Sequence, residues 1–153
     1  MLYYDINETE LYGLVDEEVS QVADAAYGED GTPLYDSVVL TSKDEDIVEA
    51  LLDDAIAQFV RTSSDIASLG EHTSGTGSSA TSVDAIVLDV PDFNASDTDA
   101  AVAQITRFIV LYACAALFQQ RRAALVPEYT NRAQAALDNA VAIIRKRTAP
   151  TRS

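Results

Sequence analysis

The chain is poor in the residues from which reactive sites and covalent frameworks are built. Its 153 residues include one cysteine, Cys114, and one histidine, His72. A single cysteine excludes an internal disulfide framework, and its scarcity points to an intracellular setting. A single histidine cannot supply the two Glu-x-x-His pairs of a di-iron bundle. Any triad of nucleophile, histidine and acid would have to use His72. The opening sequence MLYYDINETE has no basic flank and no apolar stretch, so no signal peptide is expected. The longest apolar run, Phe108–Phe118, has 11 residues. That is about half of the ~20 that cross a bilayer, so no membrane partner is expected. Positive charge is scarce as well: ten Lys and Arg stand against 25 Asp and Glu, a net −15. That balance argues against nucleic-acid recognition, which needs a basic footprint to release counterions from phosphates.

What is present fits one globular domain. The length suits a single core, and a 48% hydrophobic fraction is that of a folded chain. The charge is polarised along the sequence. Residues 1–100 hold 23 of the acids and only Lys43 and Arg61, a net −21. Residues 101–153 hold Glu128 and Asp138 against eight bases, a net +6. Two readings follow. One is a solvated acidic surface with a basic tail. The other is head-to-tail contact, the acidic face of one copy meeting the basic face of the next, a heterologous contact that can close into a ring.

Periodicity predicts four helices. The first runs from about Glu8 to Tyr27, with Asn7 as N-cap, Glu10 three residues on, and Gly28 as its stop. Leu11, Leu14, Val15, Val19, Val22 and Ala26 make its apolar face. A loop with Asp30-Gly31 and Pro33 follows, and VVLT after it is short and extended. The second helix is capped by Ser42, has Asp44, Glu45 and Asp46 in its first turn, and ends near Arg61 to Ser63. Its buried stripe is Ile47, Val48, Leu51, Leu52, Ala55, Ile56 and Phe59. The third runs from about Asp97, with Ser96 or Asp97 as cap, to Ala124, and is apolar nearly all round. The fourth opens at Pro127 and closes on Arg145, Lys146 and Arg147, with residues 148–153 as a frayed tail. Between the second and third helices lies GEHTSGTGSSATSVDAIVLDVP, residues 70–91. Ile86, Leu88 and Val90 alternate with Val87 and Asp89, the period of a half-buried strand. Together with the strand material around Ile66 and Leu69, residues 64–91 read as an inserted β-hairpin with a mobile Gly/Ser-rich tip. The predicted fold is therefore mainly α: a four-helix core with a β-hairpin between helices 2 and 3. Ile105, Ile109, Tyr112, Ala116, Leu51, Leu52, Ile56, Leu137 and Val141 are expected inside it.

No motif assembles a reaction centre. The glycines of residues 70–77 lack a Gly-Lys-Ser/Thr and open no helix, so they are not a phosphate loop. His72 reads as a solvated loop residue, and Cys114, among Ala and Tyr, as a small buried hydrophobe. Glu49 and Asp53 lie one turn apart with Asp46 behind them, and Asp5 and Asn7 have the spacing of a calcium loop that lacks its central Gly and final Glu. These acids read as a solvated face. No catalytic, cofactor-binding or metal-ligating residue is assigned, and the chain is not expected to be an enzyme. It is expected to be an interaction or assembly protein.

The stretch SKDEDIVEALLDDAIAQFVR, residues 42–61, resembles the opening helix of the head–tail connector (adaptor) proteins of tailed bacteriophages. The likeness lies in an acidic cap followed by Ile47, Leu51, Leu52 and Ala55. It continues through an extended segment to the very apolar AAVAQITRFIVLYACAALFQQRR, residues 100–122, which ends in aromatic and Arg residues. Residues 1–40, the Gly/Ser-rich tip and the helix after Pro127 depart from the compact family pattern. The resemblance implies a structural subunit of a ring around the DNA channel, below the portal. It would sit in the virion, and in the bacterial cytoplasm before assembly. Its partners would be the portal, other neck or tail proteins and further copies of itself, with an acidic lining that lets DNA slide past. Arg121, Arg122, Arg145, Lys146 and Arg147 are the residues expected to contact an acidic neighbouring surface. The other reading is a monomeric or dimeric helical protein-interaction domain without a virion role.

Overall fold

The computed structural model describes residues 2–25, 40, 42–91 and 93–145. In chain order these form strand β1 (Leu2–Asp5), helix α1 (Glu8–Ala25), helix α2 (Glu45–Thr62), strands β2 (Ala67–Ser74) and β3 (Thr81–Leu88), and helices α3 (Thr98–Arg121) and α4 (Val126–Arg145). The expected turn at Asp30-Gly31, the extended VVLT apart from Leu40, and the tail from Lys146 onward lie outside the described residues.

Local chemistry sets the helix starts. Asn7 Oδ1 accepts the Glu10 N–H at 3.1 Å, which fixes the first turn of α1 as expected. At α2 the expectation of a Ser42 cap gives way. Ser42–Asp44 form a 3-10 turn, and Asp44 occupies the cap position without accepting a capping bond. Its carboxylate is engaged by Arg121 instead. Before α3, Asn94 accepts from the Ser96 N–H at 3.1 Å and caps a 3-10 turn at Ala95–Asp97. Asp97, one of the two caps foreseen, is the N-cap residue of α3, though its side chain makes no capping bond. Pro127 lies in the first turn of α4, where its missing N–H has no intrahelical acceptor to lose.

Helix α3 is the spine. Ile105, Ile109, Leu111, Cys114, Leu117 and Phe118 are all sealed from solvent. Helix α4 runs back along it, joined by a 3-10 turn at Ala123–Leu125, and α1 and α2 pack on its other sides. From α2, Val48, Leu52, Ala55, Ile56 and Phe59 enter the core, Phe59 meeting Phe108 with ring centroids 6.0 Å apart. Ile47, expected in that stripe, is 44% exposed. Leu51, Tyr112, Ala116 and Val141 are half-buried rather than enclosed. With its preceding turn, α3 is long and apolar enough to cross a bilayer by length and composition, yet most of it is buried inside the protein.

The hairpin between α2 and α3 is present, but it belongs to a three-stranded antiparallel sheet of order β1-β3-β2. Leu2 pairs with Leu88 and Tyr4 with Ile86, while Ala67 faces Leu88 from the other side. These side chains make the inner face, all buried against the helices. Tyr4 also bonds Thr106 of α3, oxygen to oxygen at 2.8 Å. On the outer face, period two places Tyr3, Asp5, Gly70, His72, Ala85 and Val87 together. His72 is thus a strand residue, not the loop residue expected. Its ring stacks on Tyr3 with centroids 4.2 Å apart and planes 7° from parallel, and its Nδ1 lies 2.8 Å from Asp5 Oδ1. Gly70 and Ala85 leave room for the two rings to meet across β3, and Ala85 is fully covered as a result. A Cβ at Gly70 would press on Val87 Cγ2 at 3.0 Å. At the tip, Gly75 (φ 88°) and Gly77 (φ 62°) take left-handed conformations that β-carbons resist. Ser79 donates to the Thr76 carbonyl at 2.8 Å.

Two outcomes follow from this packing. Leu52→Ala removes a sealed side chain and should cost about 2–5 kcal/mol in urea unfolding, whereas half-buried Leu51→Ala should cost about half of that or less. His72→Ala should release β1 from β2 at a cost of about 0.5–1.5 kcal/mol, with hydrogen exchange at Tyr3–Asp5 accelerating more than anywhere in α3.

Candidate functional site

Of the five cations expected to face a partner, the three among the described residues stand at opposite ends of α4. Arg121 and Arg122 close α3, whereas Arg145 closes α4, whose 20 residues span about 30 Å. Lys146 and Arg147 lie outside the described residues. Arg121 pairs with Asp44, a largely buried contact. Arg145 Nη2 donates to both carboxylate oxygens of Asp65, at 2.9 and 2.8 Å, and draws the Asp65 pKa below the ordinary value. Arg122 is half-buried. Every Arg–carboxylate pair among the described residues joins the acidic part of the chain to the basic part, and the third is Arg132 with Glu18 at 3.9 Å. Partners 80 residues apart, as Asp65 and Arg145 are, leave no sequence signal.

Glu18 also ties α1 to α4 by accepting the Tyr129 hydroxyl at 3.2 Å. Arg132 lies over the Tyr129 ring, 4.9 Å from its centroid. Burial, and then the Glu18 charge, push both Tyr129 and nearby Cys114 up to about 12. A thiol held that far from ionisation is inert at neutral pH. Cys114 is the buried core residue its neighbours predicted.

Two of the recesses among the described residues flank α2. One, of about 420 Å³, lies over α3 between α2 and α4, where Phe108, Tyr112 and Ala116 form an apolar floor and Gln58, Gln119 and Gln134 a neutral polar rim. It explains why Tyr112 and Ala116 stay half-buried: α2 and α4 flank that stripe without closing over it. The other, of about 350 Å³, lies between the sheet, α2 and the start of α1. Ile6, Ile56 and Leu69 line it, and Glu8, Asp53 and Asp84 bring carboxylates from three separate elements. Burial first, then repulsion from Asp53, raises the Glu8 pKa, and Glu49 and Asp84 add to it. In the sequence Asp53 belongs to a solvated acidic face, and nothing local to Glu8 or Asp84 joins them to it. Among the described residues no group of three or more His, Cys, Asp or Glu is arranged to hold a metal ion.

No family model, curated protein or solved structure matches the chain. Function therefore has to be argued from these surfaces alone. Two of them are strongly acidic or unfilled, and the hairpin beyond Gly70 exposes every residue but His72 and its neighbours near Ala85 to solvent on both faces.

The buried thiol and phenol give the fold an alkaline limit. The unfolded chain releases these protons near ~8.5 and ~10, whereas the folded chain holds them to about 12. Their contribution to stability is complete below ~8.5 and disappears as pH climbs toward 12. Urea unfolding between about pH 7 and about pH 11 should show falling stability, with a shallower fall in Cys114→Ala and in Tyr129→Phe than in the parent.

Proposed function

We propose that this chain is a structural subunit of a tailed-phage or prophage head–tail connector or neck, assembling as a ring around the DNA channel. The observation that carries the reading is the hairpin. From Glu71 to Val83 every residue but half-buried His72 is exposed, with Val83 43% exposed. A chain gains little stability from such a finger, and interaction elements are placed this way. The acidic sheet end and α2 supply a face for a cationic neighbour, and they turn away from DNA phosphates, which suits passage over binding. Chemistry contributes nothing to this role: the chain acts by shape and charge. Its cognate partners would be the portal, other neck proteins and further copies of itself.

A second reading has its own support. Arg121 and Arg145, two of the cations assigned to a neighbour, are already held by Asp44 and Asp65. A monomeric or dimeric helical interaction domain would use them in that way alone. Arg122, Lys146 and Arg147 are therefore the informative positions. Light scattering at high protein concentration, with and without the cognate portal, should show ring-sized assemblies. Reversing those three to Glu should weaken assembly about ten-fold or more at low salt. A chain that stays monomeric or dimeric with the portal present would establish the second reading.

A further inference from the structure

The recess beside Leu69 is more than a gap between elements. On the inner face of the sheet Ala67, Ile86 and Leu88 are covered, but Leu69, the next inward residue of β2, is 59% exposed. The helices meet the recess at Glu8 of α1 and at Asp53 and Ile56 of α2, and leave it open. The recess therefore has an apolar floor of Ile6, Ile56 and Leu69, open to solvent. Around it stand Glu8, Asp53 and Asp84, none in an ion pair among the described residues. Glu8 and Asp53 are hydrogen-bonded to each other, and no cation lines the recess with them. Beside them runs β2, an edge strand that pairs only with β3 among the described residues. Its second row of backbone donors and acceptors has no strand partner, which is the template for adding an extended segment.

We propose that this recess and the free edge of β2 receive the C-terminal segment of a second copy, residues 146–153. The inference rests on the ring reading above and names the surface that each copy offers the next. The two surfaces are complementary. KRTAPTRS holds three of the ten bases of the chain in eight residues and no acid. The recess holds three carboxylates and no base. The stem of a Lys or Arg lies well on an apolar floor while its charged end meets carboxylates at the rim. A segment added to an edge also tolerates Pro150, whose missing N–H then points to solvent. In the donor copy, the Arg145–Asp65 pair fixes the point from which the segment departs. The contact is heterologous, acidic recess to basic end, as a ring requires.

A charge swap tests this with two full-length variants. One carries Asp53→Lys and Asp84→Lys, both at exposed positions. The other carries Lys146→Glu, Arg147→Glu and Arg152→Glu. Thermal melts establish that both fold. Sedimentation velocity at low salt should show each variant alone associating about ten-fold or more weakly than the parent. An equimolar mixture should recover association, since each variant then meets a partner of opposite charge at both contacts. Parent-like association of the recess variant overturns the proposal and leaves the ring reading standing. So does a mixture that fails to recover, which would mean that the segment serves its own chain or another surface. A parent chain that never associates, even with its portal, removes the ring reading and this inference with it.

Discussion

The fold depends on hiding α3. Its 24 residues carry apolar side chains on nearly every side, so no single neighbour can cover it. Helix α4 lies along one flank, α1 and α2 take others, and the sheet reaches it through Tyr4 and Thr106. That requirement explains the recess over Tyr112 and Ala116. Three helices around one leave a seam wherever two of them do not touch, and here the seam is floored by small and aromatic side chains.

Charge acts on this scaffold in two ways. The polarity of the sequence is partly consumed within the chain: Arg121, Arg132 and Arg145 each reach back to a carboxylate in the acidic part. The pairs stand at the start of α2, at the turn after it, and between α4 and α1, so they orient the outer helices around α3. The most enclosed is Arg121 with Asp44, the residue at the cap position of α2, whose side chain makes no capping bond. The more exposed pairs contribute little to stability. What they leave over matters more. With those arginines engaged, the negative charge of Glu8, Glu49, Asp53 and Asp84 remains uncompensated at the sheet end of the molecule.

The helices were legible because a 3.6-residue period and capping chemistry are local. Asn7, the stripe from Val48 to Phe59, and the apolar run of α3 each carry their signal within one or two turns. The hairpin was legible from Ile86, Leu88 and Val90, set two residues apart, and much less so in β2, where Gly70 and His72 interrupt the period. Strand β1 was not legible. Leu-Tyr-Tyr-Asp is too short for a period, and its membership of a sheet depends on β3, over 80 residues away. The clasp of Tyr3, Asp5 and His72 shares that cause, and so does the acidic recess, assembled from the start of α1, the middle of α2 and β3. The exposure of Ile47 marks a limit of another kind. A helix stripe predicts which side faces inward, not how far the neighbouring elements extend over it.

An eight-residue edge strand is a hazard for most proteins, because identical edges tend to pair with each other. Here the side chains favour one kind of partner over another. Antiparallel pairing of β2 with its own copy would bring two Glu71 residues and two sets of Glu8, Asp53 and Asp84 toward each other, at a cost that grows as water is excluded. Glycine, serine and threonine fill the rest of the distal hairpin and offer little apolar surface to offset that cost. The only exposed apolar foothold on β2 is Leu69, and it lies inside the ring of carboxylates. A strand of like charge is therefore repelled where it would gain most from burial, while a cationic strand finds both its apolar and its ionic contacts in one place. Acidity that opposes casual pairing between copies thus becomes, in the proposed assembly, the condition for ordered contact between unlike faces.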